Sequence, residues 1–188
     1  IIRPIIRGRD IKRYGYEWAG LWLINAHNGI KGKLERIHIE DYPALKAHLD
    51  QFKHKLEERS DKGDTPYNLR NCAYMQDFLK PKLFYADITQ RLNFCLCKEV
   101  MFCNNTTYFI SAKDEAILEH LKVYLNSPLI DWYYRTLSVQ LGESAVRMFS
   151  IYVLEIPIPP ITQKDIYKAY DLSQSEIDYI EKLAKLTY

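Results

Sequence analysis

None of the short motifs that mark common catalytic or nucleotide-binding sites occurs in this chain of 188 residues. There is no G-x-G-x-x-G, P-loop, H-E-x-x-H or G-x-S-x-G, which removes the usual dinucleotide, NTPase, zinc-protease and hydrolase readings. No apolar run approaches the roughly 20 residues of a membrane span, and no signal peptide is visible, so no membrane partner is expected. Cysteine is scarce. The four, at positions 72, 95, 97 and 103, lack the spacing of a secreted disulfide framework. A zinc site wants a closely spaced Cys pair plus a second pair or histidines, and the histidines show no ligand spacing. Reduced core cysteines in a cytoplasmic protein, without a metal, are the expectation.

Carboxylates suited to catalysis are missing as well. Glu57, Glu58, Asp61 and Asp64 read as a charged helix end running into a solvated loop. Asp77, Lys80 and Lys82 have the residue types of a nuclease core but no second carboxylate at strand spacing. No catalytic residue is expected in this chain. Net charge is only +2, so the overall balance does not announce nucleic acid.

Charge distribution says more. Arg3, Arg7, Arg9, Lys12 and Arg13 crowd the first thirteen residues against a single acid, Asp10. Interleaved with Tyr14 and Tyr16, the last four of these cations join charge for phosphates to flat faces for sugars or bases. Basic residues at a domain edge also serve solubility alone. Lys31 and Lys33 flank Gly32 in a second basic loop.

The periodicities predict an α+β module: a mixed, mainly antiparallel sheet with flanking helices and a C-terminal helix. Strands are expected over 21–26, 82–87, 94–98, 106–110 and 152–158. A helix is expected over 42–58, where Leu45, Leu49, Phe52 and Leu56 share one face, and helical or mixed structure over 69–79. Two helices, 114–125 and 127–137, are separated by Ser127-Pro128, a cap followed by a residue tolerated at the first helical position. Ser173-x-x-Glu176 is a capping box opening a last helix to about 187. Between the helix pair and the Pro157-Ile158-Pro159-Pro160 brake, residues 138–149 read as an exposed Gly-containing loop with Ser138, Gln140, Glu143, Ser144 and Arg147. Arg and Gln have bidentate geometries that discriminate guanine and adenine. Arg147 has two other uses open to it, capping a helix end or pairing with Glu143. Trp132, Tyr133 and Tyr134 read as core and support for the loop.

Three segments, in order, carry a family resemblance: IIRPIIRGRDIKRY, YNLRNCAYMQDFLKPKLFYADIT, and the stretch from YFISAKDEAIL to EIPIPPI. Together they resemble the TaqI-like C-terminal specificity domain, the target-recognition domain of type IIG restriction–modification enzymes and related adenine-N6 methyltransferases. The last segment also resembles the end of type I specificity subunits. The resemblance implies a module, residues 1–161, that reads double-stranded DNA, with 162–188 as a spacer-like helical extension. It implies an N-terminal methyltransferase domain in a longer bacterial or archaeal polypeptide, using S-adenosylmethionine, and Mg²⁺ if a nuclease accompanies it. The chain's start at Ile1, without Met and inside an expected strand, fits a piece of such a protein. On this reading GRDIKRY (Arg9, Lys12, Arg13, Tyr14, with Arg7 before it), Lys80 and Lys82 hold phosphates. The 138–147 loop enters a groove, together with 28–36 carrying Lys31 and Lys33. The alternative is a protein-interaction module docking on a partner methyltransferase subunit through the last helix.

Overall fold

The structure, a computed structural model, describes residues 1–186 as an α+β arrangement in two units, residues 1–3 with 22–76, and residues 4–21 with 77 onward. β1 (Ile2–Ile6) runs from the first into the second. There β2 (Ile11–Lys12) and β3 (Gly15–Tyr16) pair antiparallel, before β4 (Trp22–Ile24), α1 (Pro43–Asp50) and α2 (Lys53–Glu58) complete the first unit. The second unit resumes with β5 (Lys82–Ala86), β6 (Ile88–Thr89), β7 (Phe94–Cys97), β8 (Phe102–Cys103) and β9 (Thr107–Ser111). The helix pair α3 (Glu115–Leu125) and α4 (Pro128–Leu137) leads into a hairpin of β10 (Gln140–Leu141) and β11 (Ala145–Arg147). Three further helices follow: α5 (Ser150–Val153), α6 (Ile166–Ala169) and α7 (Gln174–Leu186). Most strand pairs are antiparallel, β1 with β8 being parallel, which is the expected fold class.

In the first unit a buried amide does the organising. Asn68 donates through Nδ2 to the carbonyls of Ala26, His27 and Ile37, tying its own loop to two other segments. Arg59 donates to the carbonyls of Pro66 and Asn68 at 3.0 Å each. The expected helix over 42–58 is two helices that meet at Gln51-Phe52, where Phe52 leaves helical geometry. Neither helix has a buried residue, and Phe52 is exposed.

The second unit is built on β5, the central strand of β7-β5-β9. All five of its residues are buried because both faces are covered. Leu83 and Tyr85 face one core with Leu92, Phe94, Leu125, Ile130 and Tyr134. Phe84 and Ala86 face another with Ile6, Ile11, Cys95, Cys97 and Met101. The two-residue side-chain alternation of a strand sends Lys82 to the side of Phe84, where it is fully buried. Cys95 and Cys97 lie in this core.

Local signals in the helical half act as expected. Asp114 caps α3 by accepting from Ala116, and Ser127 caps α4 by accepting from Ile130, with Pro128 next. Glu176 reaches back to the Ser173 amide at 2.8 Å. The residues between the caps carry the tertiary load. Asn126, buried at the turn, accepts from the Phe94 amide at 2.9 Å and donates to the Phe94 carbonyl at 2.8 Å. It thereby occupies the edge of β7 as a neighbouring strand residue would. Asp131 accepts from the Leu92 amide at 2.8 Å, one step further along. Residues 162–186 pack within this unit; Ile166 and Tyr170 reach the core, and α7 lies against α4. The expected end of the last helix at 187 lies outside the described residues.

Three further expected elements differ. Residues 152–158 are not a strand: α5 and a following turn bury Val153 and Ile156, whose spacing of three suits a helical turn. Residues 69–79 are irregular up to a 3-10 turn over Met75–Leu79. The loop 138–149 is largely a hairpin, turning at Gly142 (φ +66°), and β11 pairs with β6 on its other side. Replacing Asn126 by Ala strands the buried Phe94 amide and carbonyl. It should lower stability by about 3 kcal/mol, read as a shifted urea midpoint with unchanged slope.

Candidate nucleic-acid interface

The hairpin, the β6–β7 connection and the Gly8-Arg9-Asp10 turn surround an open groove of about 960 Å³ in the second unit. Gly8 allows the close approach of its turn: its amide donates to Thr106 Oγ1 at 3.0 Å, and a Cβ there would lie 2.5 Å from the Thr106 carbonyl oxygen. Arg9 stands exposed on this rim. Arg7 is held by Asp10, with Nη2 to Oδ1 at 2.8 Å and Nε to Oδ2 at 3.1 Å. The Arg7 guanidinium keeps the Asp10 carboxyl below its usual range. Gln90, Arg91 and Asn93 line the β6–β7 side, and Ser144 contributes from the hairpin. Asp87, on the floor, pairs with Arg147 at 3.0 Å rather than leaving it to Glu143 or a helix end, and Arg147 lies over Phe149.

Two consecutive residues of α4 hold the hairpin. Tyr134 Oη donates to the Arg147 carbonyl at 2.8 Å, and Ser138 Oγ donates to the same oxygen. Arg135 donates through Nη1 to the Ser144 carbonyl at 2.8 Å and through Nη2 to the Gln90 carbonyl. Its Nε donates to Asp131 Oδ2 at 3.0 Å. Gln140 and Glu143, near the hairpin tip, are exposed. Tyr134 supports the loop as expected. Arg135 was missed, although Asp131 and Arg135 are four apart on a helix, a pairing legible in sequence. Gln90, Arg91 and Asn93 were also missed; their only signal is a polar T-Q-R-L-N run between two strands.

The groove therefore gathers Arg7, Arg9 and Ser144 of the sequence-derived residues, with Arg147 at its floor through Asp87. Others lie elsewhere. Arg13 donates to the Asn126 carbonyl at 2.8 Å and covers the ring of Tyr14, and both line a separate cavity beside His120 and Pro128. Lys12 is exposed and pairs with Glu17 at 3.6 Å. Lys80 pairs with Asp77 at 2.7 Å. Lys31 and Lys33 line a cavity of the first unit with Asn28 and Asp64. Lys82 has to be withdrawn from the phosphate-holding set. Its Nζ is buried, donates to the Glu99 carbonyl at 3.1 Å, and burial pushes its pKa down.

An open groove rimmed by arginine, amide and hydroxyl groups suits an extended polar ligand better than an enclosed small one. Residues 3–158 match the model of the TaqI-like C-terminal specificity domain, and the chain belongs to that family. Its role is DNA target recognition in restriction–modification systems. No curated protein matches the chain. Among the described residues, no helix is long and apolar enough to cross a membrane.

The Arg7–Asp10 pair that shapes the rim has a pH signature. With the folded-state pKa of Asp10 depressed, its stabilisation is present above the unfolded value of about 4 and is lost as pH falls through the folded value. The stability difference between the wild type and Asp10→Asn should thus be largest near neutrality and shrink below about pH 4, measured by urea denaturation across pH.

Proposed function

We propose that this chain reads a short sequence in double-stranded DNA for a type IIG restriction–modification enzyme, or a related adenine-N6 methyltransferase. The observation that carries this reading is the groove of the second unit, whose rims are an arginine-bearing turn and a braced hairpin. Arg9 contacts phosphates, and Gln140, near the hairpin tip, reads base edges. Charge attraction by the rim gives affinity without sequence, while the hairpin supplies discrimination.

Methylation belongs to a domain preceding this one in a longer cytoplasmic polypeptide. The chain has no Asn-Pro-Pro-Tyr tetrapeptide and no cofactor-binding motif, and no step of methyl transfer is assigned to its residues. That cofactor, and Mg²⁺ where a nuclease is present, would be bound by the other domains. The role of this chain is to hold the duplex so that the target adenine can be extruded into the methyltransferase pocket, since a stacked base cannot react.

Two substitutions separate the roles within the full polypeptide. Arg9→Ala should weaken binding to every duplex and reduce the slope of log affinity against log salt by about one. An unchanged slope removes Arg9 from the phosphate contacts. Gln140→Ala should leave that slope alone and relax preference at one base pair, worth about 1–3 kcal/mol of discrimination. A recognition profile identical to the wild type would exclude Gln140 from base reading.

A further inference from the structure

The hairpin and the β6–β7 connection, two of the groove's walls, converge on one partly buried side chain that is not among the groove's lining residues. Arg135 is only 17% exposed, and its three nitrogens have three different partners. One is the Ser144 carbonyl on the hairpin, the second is the Gln90 carbonyl on the β6–β7 connection, and the third is Asp131 on its own helix. Asp131 is buried and also receives the Leu92 amide, which lies on the same connection as Gln90. The planar guanidinium thus spans the two walls, and its orientation is set by a carboxylate anchored to one of them. Lysine has a single nitrogen and cannot reproduce this fork.

We propose that Arg135 is a positioning residue for sequence discrimination, holding hairpin and β6–β7 connection at one separation so that both walls meet the same base pairs. The inference rests on the DNA-reading function proposed above. Discrimination depends on base contacts at hydrogen-bond distances, whereas attraction to phosphates tolerates displacement. Loosening this bracket therefore degrades selectivity and leaves general affinity alone.

The test uses the full polypeptide as wild type, Arg135→Lys and Asp131→Asn. Selection from a random-core duplex pool gives the sequence enriched by the wild type. Fluorescence anisotropy then measures affinity for the enriched duplex and for the unselected pool at two salt concentrations, alongside thermal melting. Arg135→Lys should reduce the ratio of enriched-duplex to pool affinity about tenfold, comparable to losing one base contact. Pool affinity and its salt slope should stay at the wild-type value. Asp131→Asn should shift the ratio in the same direction, and decides the matter if Arg135→Lys fails to fold. An unchanged ratio in the folded variants overturns the proposal. So does an equal loss for both duplexes with a shallower salt slope, which would make Arg135 a phosphate contact. A wild type that enriches no sequence overturns the DNA-reading function itself, an outcome distinct from variants that match a selective wild type.

Discussion

β7 ends the central sheet, and the amide of Asn126 stands where a further strand would begin. It both accepts from and donates to the backbone of Phe94, while its Nδ2 also reaches the Lys122 carbonyl at 2.8 Å. A buried sheet edge needs partners for its amides and carbonyls. Here they come from the turn between two helices, which seats the helix pair in one register against the sheet. Asp131 repeats the device at Leu92. With the turn before α4 tied to Phe94 of β7, and Asp131 of α4 tied to Leu92, the rigid helix presents Tyr134 and Arg135 from a fixed place. Those two side chains and the pairing of β11 with β6 hold the hairpin. An amide at position 126 therefore sets the geometry of a groove to which it does not belong.

The groove shows a consistent use of paired charge. Arg7 with Asp10, Arg147 with Asp87 and Arg135 with Asp131 are internal pairs that shape the walls. Partly buried charges require such partners, so a count of arginines in this region overstates what is left to attract phosphate. Arg9, Gln140 and Glu143 stay exposed, outside these pairs. The frame here is assembled from buried hydrogen bonds, while Gln140 and Glu143 are exposed and free of the constraints that fix Tyr134 and Arg135.

Much of the frame is legible in the sequence. Ser127 and Ser173 announced helix starts because capping is a local interaction between side chains and amides within a few residues. The strands at 82–87, 94–98 and 106–110 were legible from short apolar and aromatic runs bounded by turns. The failures share a cause. At 152–158 a run of apolar residues suits a strand or a helical turn equally, and only the core against which Val153 and Ile156 pack decides between them. The hairpin at 138–149 read as a loop because its two short strands have too few residues to show alternation.

For the site, residue types and their clustering were available from the chain alone: a basic leading segment, a polar Gly-containing segment after the helix pair, and no catalytic constellation. What each cation does was not. Lys82 looks like Lys80 in sequence, yet one is buried beneath a two-sided sheet and the other is exposed. Arg147 found Asp87, sixty residues away, and Arg135 found the carbonyl of Gln90, forty-five residues away. By itself the sequence determined the elements with local signals and the membership of a DNA-reading family, because caps, periodicities and segment order are one-dimensional properties. Tertiary structure decided which charges pair internally and which line the groove, because burial and long-range hydrogen bonds exist only once distant segments meet.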